Sequence, residues 1–162
     1  MNEDCLEILL VEDNANDEAL ALYALRGLLV ANKVQVARDG AEALDYAFCI
    51  GLYANRTAEN PLLILLDKHL PLVDGLDVLR RLRADSRTYM IPVVMLTASS
   101  EERDIRDCYE QGANSYIVKP IDGDQFMKTA QKLGYHWLLI DRPPPDRIGA
   151  DPPSLINAHP AE

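Results

Sequence analysis

The chain has 162 residues, of which 48% are hydrophobic, which suits one domain with its own core, alone or with an extension. Its formal net charge of -10 argues against nucleic-acid binding, because proteins that bind phosphate backbones cluster Lys and Arg. The acidic start argues against a signal peptide, and no apolar stretch reaches the roughly 18 residues of a membrane span, so we expect a cytoplasmic protein.

The cysteines also exclude some kinds of site. Cys5, Cys49 and Cys108 are odd in number and lack any CxxC spacing, so they do not form a disulfide framework or a thiolate metal site. We interpret them as reduced residues of the core or of helices.

The first predicted pair of elements is a strand and a helix. The run LEILLV at residues 6–11 is short and apolar, as a buried strand would be. After it, apolar residues recur at helical spacing, including Leu22, Leu25 and Leu29. This pattern predicts a helix that packs on the strand.

A second pair follows after a short connection. KVQVA at residues 33–37 has strand composition, Asp39 and Gly40 indicate a turn, and AEALDYAF resumes a helical period. The polar segment at residues 51–61 then predicts a surface loop that tolerates insertions.

Three more pairs complete the domain. Predicted strands at residues 62–66, 92–96 and 115–118 are each followed by a helical pattern. In the fourth helix Ile105, Cys108 and Tyr109 share a face, and Gly112 suits the C-terminal end. The fifth helix begins near residue 122 and carries one apolar stripe, made of Phe126, Ala130, Leu133 and Trp137.

Strands that are apolar throughout are covered on both faces, which with crossover helices means a parallel sheet. The chain therefore predicts an α/β fold with a doubly wound, five-stranded parallel sheet flanked by five helices. In such sheets ligands bind beyond the carboxyl ends of the strands.

The composition changes near the end of the chain. Residues 141–162 are rich in proline, which removes helix donors and keeps the backbone extended. We expect residues 1–140 to form one domain with an extended last helix, and residues 141–162 to form a tail with no output domain after it.

Polar residues collect at the predicted strand ends. Glu12 and Asp13 follow the first strand, Asp67 the third, Thr97 the fourth and Lys119 the fifth. Two carboxylates about 4 Å apart repel by roughly 4 kcal/mol at an effective dielectric of about 20, so a cation is needed there. Lys119 can offset one charge, and a hard divalent ion with oxygen ligands can offset more, which makes Mg²⁺ the natural candidate.

A simpler interpretation is that these acidic residues cap helices. Asp13, Asp39 and Asp67 each lie near the end of a predicted strand, where N-terminal caps occur. Taken singly, each aspartate suits a cap better than a site, but the joint pattern at several strand ends favours a site.

The motifs ILLVEDN, LLDKHLPLVDG, PVVMLTA and SYIVKP resemble the landmark motifs of the receiver domain of two-component response regulators, in the same order and at matching spacing. The resemblance covers about residues 6 to 136. It implies the flavodoxin-like receiver fold and a protein that accepts a phosphoryl group from a histidine kinase.

The resemblance also implies roles for individual residues. Asp67 is the implied phosphoacceptor, and Glu12, Asp13, Asp67 and the backbone carbonyl of His69 are the implied Mg²⁺ ligands. Further residues match positions that contact the phosphoryl group, namely Thr97, Ala98 and Lys119, or that form the switch, namely Thr97 and Tyr116. In this family the residues at positions 69 and 99 tune the lifetime of the phosphoryl group.

These residue types suit the implied chemistry. A carboxylate can attack a phosphoryl group in line, while a metal and Lys119 neutralise charge on its oxygens. Such a protein catalyses its own phosphorylation and dephosphorylation, without turnover of a separate substrate. The resemblance implies that movement of Thr97 and inward rotation of Tyr116 then change the surface formed by the fourth helix, the fifth strand and the fifth helix.

A narrower resemblance is to the stand-alone regulators of bacterial phytochrome-type histidine kinases, which the LVEDN motif and the C-terminal extension favour. It implies a homodimer with an interface that includes Trp137, Leu138, Leu139 and Ile140. Phosphorylation would alter the dimer or pass the group to a phosphotransfer protein.

Other function classes have weaker support. A haloacid-dehalogenase-type phosphotransferase needs a DxD pattern after its first strand, but this chain reads EDNAND at residues 12–17, with Asn where the second Asp belongs. A phosphorylation-independent binding module usually lacks an acidic residue, the acceptor or the lysine, and all are present here. No GxxxxGK[ST] loop follows a strand, and the acidic first loop is unsuited to phosphates, which argues against nucleotide hydrolysis and FMN binding.

Overall fold

The computed structural model of the chain describes residues 7–26, 33–56 and 59–134. Strands and helices alternate in the order β1 (Ile8–Val11), α1 (Ala15–Ala24), β2 (Val34–Ala37), α2 (Gly40–Phe48), β3 (Leu63–Asp67), α3 (Gly75–Arg83), β4 (Val93–Thr97), α4 (Glu102–Glu110), β5 (Ser115–Val118) and α5 (Gly123–Lys132). Within these described ranges, none of the helices has the length and hydrophobicity needed to cross a membrane.

The strands form one parallel sheet of five strands in the order β2-β1-β3-β4-β5. This confirms the predicted doubly wound α/β fold. The register pairs Val11 with Leu66, and Asp67 with Leu96, so β1, β3 and β4 end close to the same level. The residues that follow these strands therefore meet at one edge of the sheet.

Each face of the sheet is covered by helices. Leu66 and its neighbours on one face pack with α2, α3 and Cys108 of α4, while Leu65 on the other face packs with residues of α1 and α5. Every residue of β3 is buried. This burial on both faces explains the continuous apolar run, since side chains alternate between the two faces along a strand.

The buried face of α1 differs from the predicted one. Ala21 and Leu25 are buried against the sheet, whereas Leu22 is 37% exposed. The apolar spacing placed Leu22 on the core face, but a small residue at position 21 allows the helix to pack closely and turns Leu22 outward. Residue 29 lies outside the described ranges.

The described part of the segment after α2, residues 51–56, is mostly exposed, as predicted for a surface loop. It begins with a short 3-10 helix at Gly51–Tyr53, and Tyr53 packs edge-on against Tyr46 with 4.9 Å between ring centroids. The Tyr53 hydroxyl donates a hydrogen bond to Glu42 at 2.6 Å, and the Arg56 guanidinium donates to the Tyr46 carbonyl and lies over its ring. These contacts anchor the segment on α2.

The last helix follows the predicted stripe as far as the structure describes it. Phe126 and Ala130 are buried, and Leu133 packs against them. Trp137, Leu138, Leu139 and Ile140 lie outside the described residues, as does the tail at residues 141–162. The proposed domain boundary at residue 140 stays a prediction. Cys108 is buried in α4 and Cys49 is half-buried at the end of α2, and both are reduced, as expected. Cys5 lies outside the described residues.

Candidate functional site

The end of β1 delivers two carboxylates to the edge of the sheet. The Glu12 backbone N–H donates to the Ala37 carbonyl at 2.9 Å, which continues the strand ladder one residue past β1. Glu12 is only 1% exposed, while Asp13 faces solvent. Asn14 then caps α1 by accepting a hydrogen bond from the Asp17 N–H at 2.9 Å.

Asp67 is the last residue of β3 and is buried. The backbone that follows it turns tightly, because the Gly75 N–H donates to the Lys68 carbonyl at 2.9 Å. A Cβ at Gly75 would overlap the Asp67 carbonyl oxygen and lie 2.6 Å from the Lys68 carbonyl oxygen. Only glycine permits this close approach of α3 to the Asp67 backbone.

Lys119 brings the ends of three elements together. Its backbone N–H donates to the Thr97 carbonyl at 2.7 Å, just before a cis Lys119–Pro120 peptide bond. Its Nζ atom lies 2.9 Å from Asp67 Oδ2, 3.0 Å from Glu12 Oε1 and 3.0 Å from Asp17 Oδ2. The structure therefore joins Glu12, Asp67 and Lys119, as the sequence predicted, and adds Asp17, which the sequence analysis missed.

Asp17 could have been found from the helix start. Asn14 precedes the first turn of α1 and is a preferred N-cap residue, and Asp17 stands three positions later. That placement brings the Asp17 side chain to the carboxyl edge of the sheet.

Thr97 ends β4, and Tyr116 lies in β5, the strand that precedes Lys119. Thr97 is buried, and its Oγ1 atom accepts a hydrogen bond from the Ser99 N–H at 3.1 Å. Ala98 is exposed. Tyr116 is half-buried and packs edge-on against Tyr109, with 5.9 Å between ring centroids. The roles expected of these residues toward a phosphoryl group stay predictions.

The acidic residues suit a divalent metal ion. Glu12, Asp13 and Asp67 each offer a carboxylate oxygen, and these atoms lie within 4.8 Å of one another. Within the described part of the chain, the buried Glu12 Oε1 atom accepts no hydrogen bond, although Lys119 Nζ is in ion-pair contact with it. An unsatisfied buried carboxylate oxygen beside two others is the donor set that a hard cation prefers.

The pKa values of the site reflect this crowding. Burial, together with the neighbouring Asp67, raises the pKa of Glu12 to about 7 despite the opposing effect of Lys119. Burial alone would lower the pKa of Lys119, but its hydrogen bonds to Asp67, Asp17 and Glu12 outweigh burial, and the pKa is raised. Lys119 is therefore held charged, and the surplus negative charge favours a further cation.

The capping interpretation holds for only one of the three aspartates. Asp39 caps α2 by accepting a hydrogen bond from the Glu42 N–H at 2.7 Å. Asn14 caps α1, so Asp13 does not, and Asp67 ends a strand well before α3 begins. The His69 side chain is 76% exposed at the rim of the site, and its backbone carbonyl remains a predicted ligand.

Comparison with known sequences identifies the family. The model of the response regulator receiver domain matches residues 8–131. The chain is 37% identical over 142 residues to the probable methanogenesis regulatory protein FilR2 of Methanothrix harundinacea, covering 88% of this chain and 90% of that protein. It is 35% identical over 131 residues to the response regulator Rcp1 of Synechocystis sp., covering 81% of this chain and 88% of that protein.

Several solved structures share the fold of this chain and match most of its length. The bacteriophytochrome response regulator AtBRR is 49% identical with a TM-score of 0.75, and the match covers 85% of this chain and 98% of that chain. The bacteriophytochrome response regulator RtBRR is 41% identical with a TM-score of 0.73, and 94% of each chain is covered. A further match is the Mn²⁺-bound form of Rcp1, with 33% identity, a TM-score of 0.67, and coverage of 86% of this chain and 99% of that chain. With its parallel sheet and its acidic pocket around Lys119, this chain belongs to the response regulator receiver domain family.

Proposed function

We propose that this response regulator accepts a phosphoryl group on Asp67 from a histidine kinase, in a reaction that needs Mg²⁺. The observation that carries the proposal is the contact between Lys119 Nζ and Asp67 Oδ2 at 2.9 Å, inside a cluster of carboxylates suited to a divalent ion. Among the three carboxylates that contact Lys119, Asp67 is the one that belongs to a strand, as the last residue of β3.

In the proposed reaction an oxygen of Asp67 attacks phosphorus in line, and the bond from phosphorus to the donor breaks. The product is an acyl phosphate on Asp67, and the donor leaves with the bonding electrons. Lys119 stays charged and lies where it can contact an oxygen of the transferred group. Its contact with Glu12 also offsets the charge of that carboxylate, which would otherwise repel the incoming phosphoryl group.

Glu12, Asp13 and Asp67, with the His69 carbonyl, are the residues that would hold Mg²⁺. The bound ion would supply positive charge for the equatorial phosphoryl oxygens. Support for a divalent metal comes from the Mn²⁺-bound form of Rcp1 and from a receiver domain of the sensor histidine kinase PA1611, whose structure has a magnesium ion in its active-site cleft.

The phosphoryl donor proposed for this chain is a phytochrome-type histidine kinase. The support is the similarity to AtBRR and RtBRR, both bacteriophytochrome response regulators, and to the phosphorylated cyanobacterial phytochrome response regulator RcpA. The match covers 98% of AtBRR, which supports a stand-alone regulator. We propose that this regulator works in the cytoplasm. A homodimer and a downstream phosphotransfer protein belong to the same proposal.

The proposed output is a change of surface in place of a chemical product. Thr97 is buried within reach of the β4–α4 connection, and Tyr116 packs between the sheet and Tyr109. If the Thr97 hydroxyl turns toward the phosphoryl group, Tyr116 can rotate inward and alter the face formed by α4, β5 and α5. The protein then acts as a switch without turnover of a separate substrate.

Incubation with acetyl phosphate and Mg²⁺, followed by intact mass measurement, tests this function. We expect a single phosphoryl adduct on the full chain and none on the Asp67→Asn variant or in the presence of a chelator. A chain that stays unlabelled while another receiver domain labels in the same tube would contradict the proposal and favour a phosphorylation-independent binding module. Multiple turnover of a small phosphate ester would instead favour a phosphotransferase.

A further inference from the structure

Lys68 is a buried cation that the phosphorylation chemistry does not use. It directly follows Asp67 and is only 7% exposed. Because side chains alternate along a strand, Lys68 points to the opposite face of the sheet from Asp67, toward α4. A buried charge is costly unless it has a partner. The sequence does not indicate this burial, since lysine side chains are mostly exposed.

The partner of Lys68 is Asp104 in the first turn of α4, with 3.4 Å between Lys68 Nζ and Asp104 Oδ1. The pKa of Asp104 is lowered by the Ser99 side chain and, to a smaller extent, by the charge of Lys68, while burial acts in the opposite direction. This carboxylate is therefore held ionised. The ion pair thus links the strand that carries the phosphoacceptor to the beginning of α4.

The backbone of Lys68 is fixed on both sides. Its N–H donates to the Leu96 carbonyl at 2.8 Å, and its carbonyl accepts from the Gly75 N–H at 2.9 Å. The backbone of Lys68 is therefore held in the sheet, so a movement of the N-terminal end of α4 changes the separation of the ion pair.

The N-terminal end of α4, which carries Asp104, is linked to Thr97 through Ser99. Ser99 donates its N–H to Thr97 Oγ1 at 3.1 Å, and its own Oγ accepts from the N–H of Glu101, the N-cap residue of α4. If Thr97 turns to a phosphoryl group on Asp67, the Ser99 N–H loses its acceptor, and the connection between β4 and α4 is released.

The two ends of α4 are held differently. At its C-terminal end, Arg83 donates hydrogen bonds to the Gly112 carbonyl at 2.9 Å and to Asn114 Oδ1 at 2.9 Å, and also to the Ile91 carbonyl at 2.8 Å. Cys108 is the one fully buried residue within α4. With so little of the helix in the core, its N-terminal end depends on the contacts around Asp104.

We propose that Lys68 and Asp104 form a latch that keeps the N-terminal end of α4 against the sheet until Asp67 is phosphorylated. Lys68 is a positioning residue, because it acts on α4 through Asp104 and does not contact the reacting atoms. Release of Ser99 by Thr97 weakens the latch and frees the start of α4, while the Arg83 contacts keep its end in place. This inference rests on the proposed function and names how the site controls its output surface.

Hydrogen exchange of the full chain, with and without acetyl phosphate and Mg²⁺, tests the latch. The variant is Lys68→Met, which removes the charge from a buried site and keeps an unbranched side chain. The matched control is Arg106→Met, which removes a cation from an exposed pair with Glu102 on the same helix. Intact mass in each sample measures the phosphoryl adduct separately.

In the parent chain, we expect phosphorylation to speed exchange at residues 102–106. In Lys68→Met without phosphorylation, exchange there should already be faster by about fivefold or more, and phosphorylation should add less than about twofold. Asp104→Asn should behave in the same way, and the double variant should add little to either single change, as expected for two residues of one interaction. Arg106→Met should behave like the parent chain.

The latch would be overturned if Lys68→Met forms the adduct and leaves exchange at residues 102–106 as in the parent chain, or if Arg106→Met speeds exchange equally. Full additivity of the Lys68→Met and Asp104→Asn effects would also overturn it. Absence of an adduct from every chain would contradict the proposed function, and therefore also the latch proposal that rests on it.

Discussion

Lys119 Nζ and Asp67 Oδ2 lie 2.9 Å apart, although the two residues are 52 positions apart in the chain. The same ammonium also contacts Glu12, directly after β1, and Asp17 in α1, so one cation holds three carboxylates from different elements together. In the proposed reaction this cation has two tasks. It lowers the repulsion among the carboxylates in the resting protein, and it offsets the charge that the phosphoryl group brings.

We expect Lys119→Met to slow phosphorylation by acetyl phosphate on the order of 100-fold, because a positioned charge is lost where negative charge develops. The time course of adduct formation by intact mass provides the measurement. Lys132→Met, at the exposed end of α5, is the control and should label at the parent rate. A Lys119→Met chain that labels as fast as the parent would show that the contact has no part in the chemistry.

Stability should depend on pH through Glu12. Its pKa is raised from 4.5 to about 7, mainly by burial, so the folded protein holds this proton more tightly than the unfolded chain does. Glu12 therefore stabilises the fold at low pH, and this contribution is lost as the pH rises through about 7. We expect the loss to be roughly 2 kcal/mol, measured as the free energy of unfolding in urea at a series of pH values.

The Glu12→Gln variant should remove that part of the pH dependence. Mg²⁺ should oppose the loss at high pH in the parent chain, because a metal ion favours the ionised carboxylate. A parent chain and a Glu12→Gln variant with the same pH profile would contradict the assigned pKa.

Gly75→Ala should destabilise the protein by roughly 2 kcal/mol or more, because the new methyl group would overlap the Asp67 carbonyl. We also expect slower phosphorylation, since relief of this overlap shifts the backbone of Asp67. Gly123→Ala is the matched control, because a Cβ there would meet its nearest atom, the Ala24 carbonyl oxygen, at 3.9 Å. Equal unfolding free energies for the two variants would contradict the close approach of α3 to Asp67.

Arg83→Met should lower the free energy of unfolding by about 2 to 3 kcal/mol, because several backbone carbonyls lose a charged donor. Thermal or urea unfolding is the measurement. Arg81→Met, on the exposed side of α3, should change stability by less than about 0.5 kcal/mol. A loss for Arg81→Met that matches the loss for Arg83→Met would mean that charge, and not these hydrogen bonds, causes the effect.

The sequence predicted the fold and the convergence of Glu12, Asp67 and Lys119, because parallel strands end at one edge whatever the details of packing. It did not predict the partner of Lys68, since a buried ion pair between β3 and α4 depends on how the helix packs. Leu22 was placed on the wrong face of α1 for a related reason, because hydrophobic spacing does not distinguish it from the small Ala21. Asp17 was missed because its role follows from the cap at Asn14, a local feature.

The central claim is that Asp67 carries the phosphoryl group. Treatment of the acetyl phosphate-labelled chain with borohydride reduces an acyl phosphate to an alcohol, and peptide mass spectrometry then locates the changed residue. We predict homoserine at position 67, and no change in a chain kept without Mg²⁺. Homoserine at another aspartate, or no reduced residue in a chain that carries the adduct, would contradict the account.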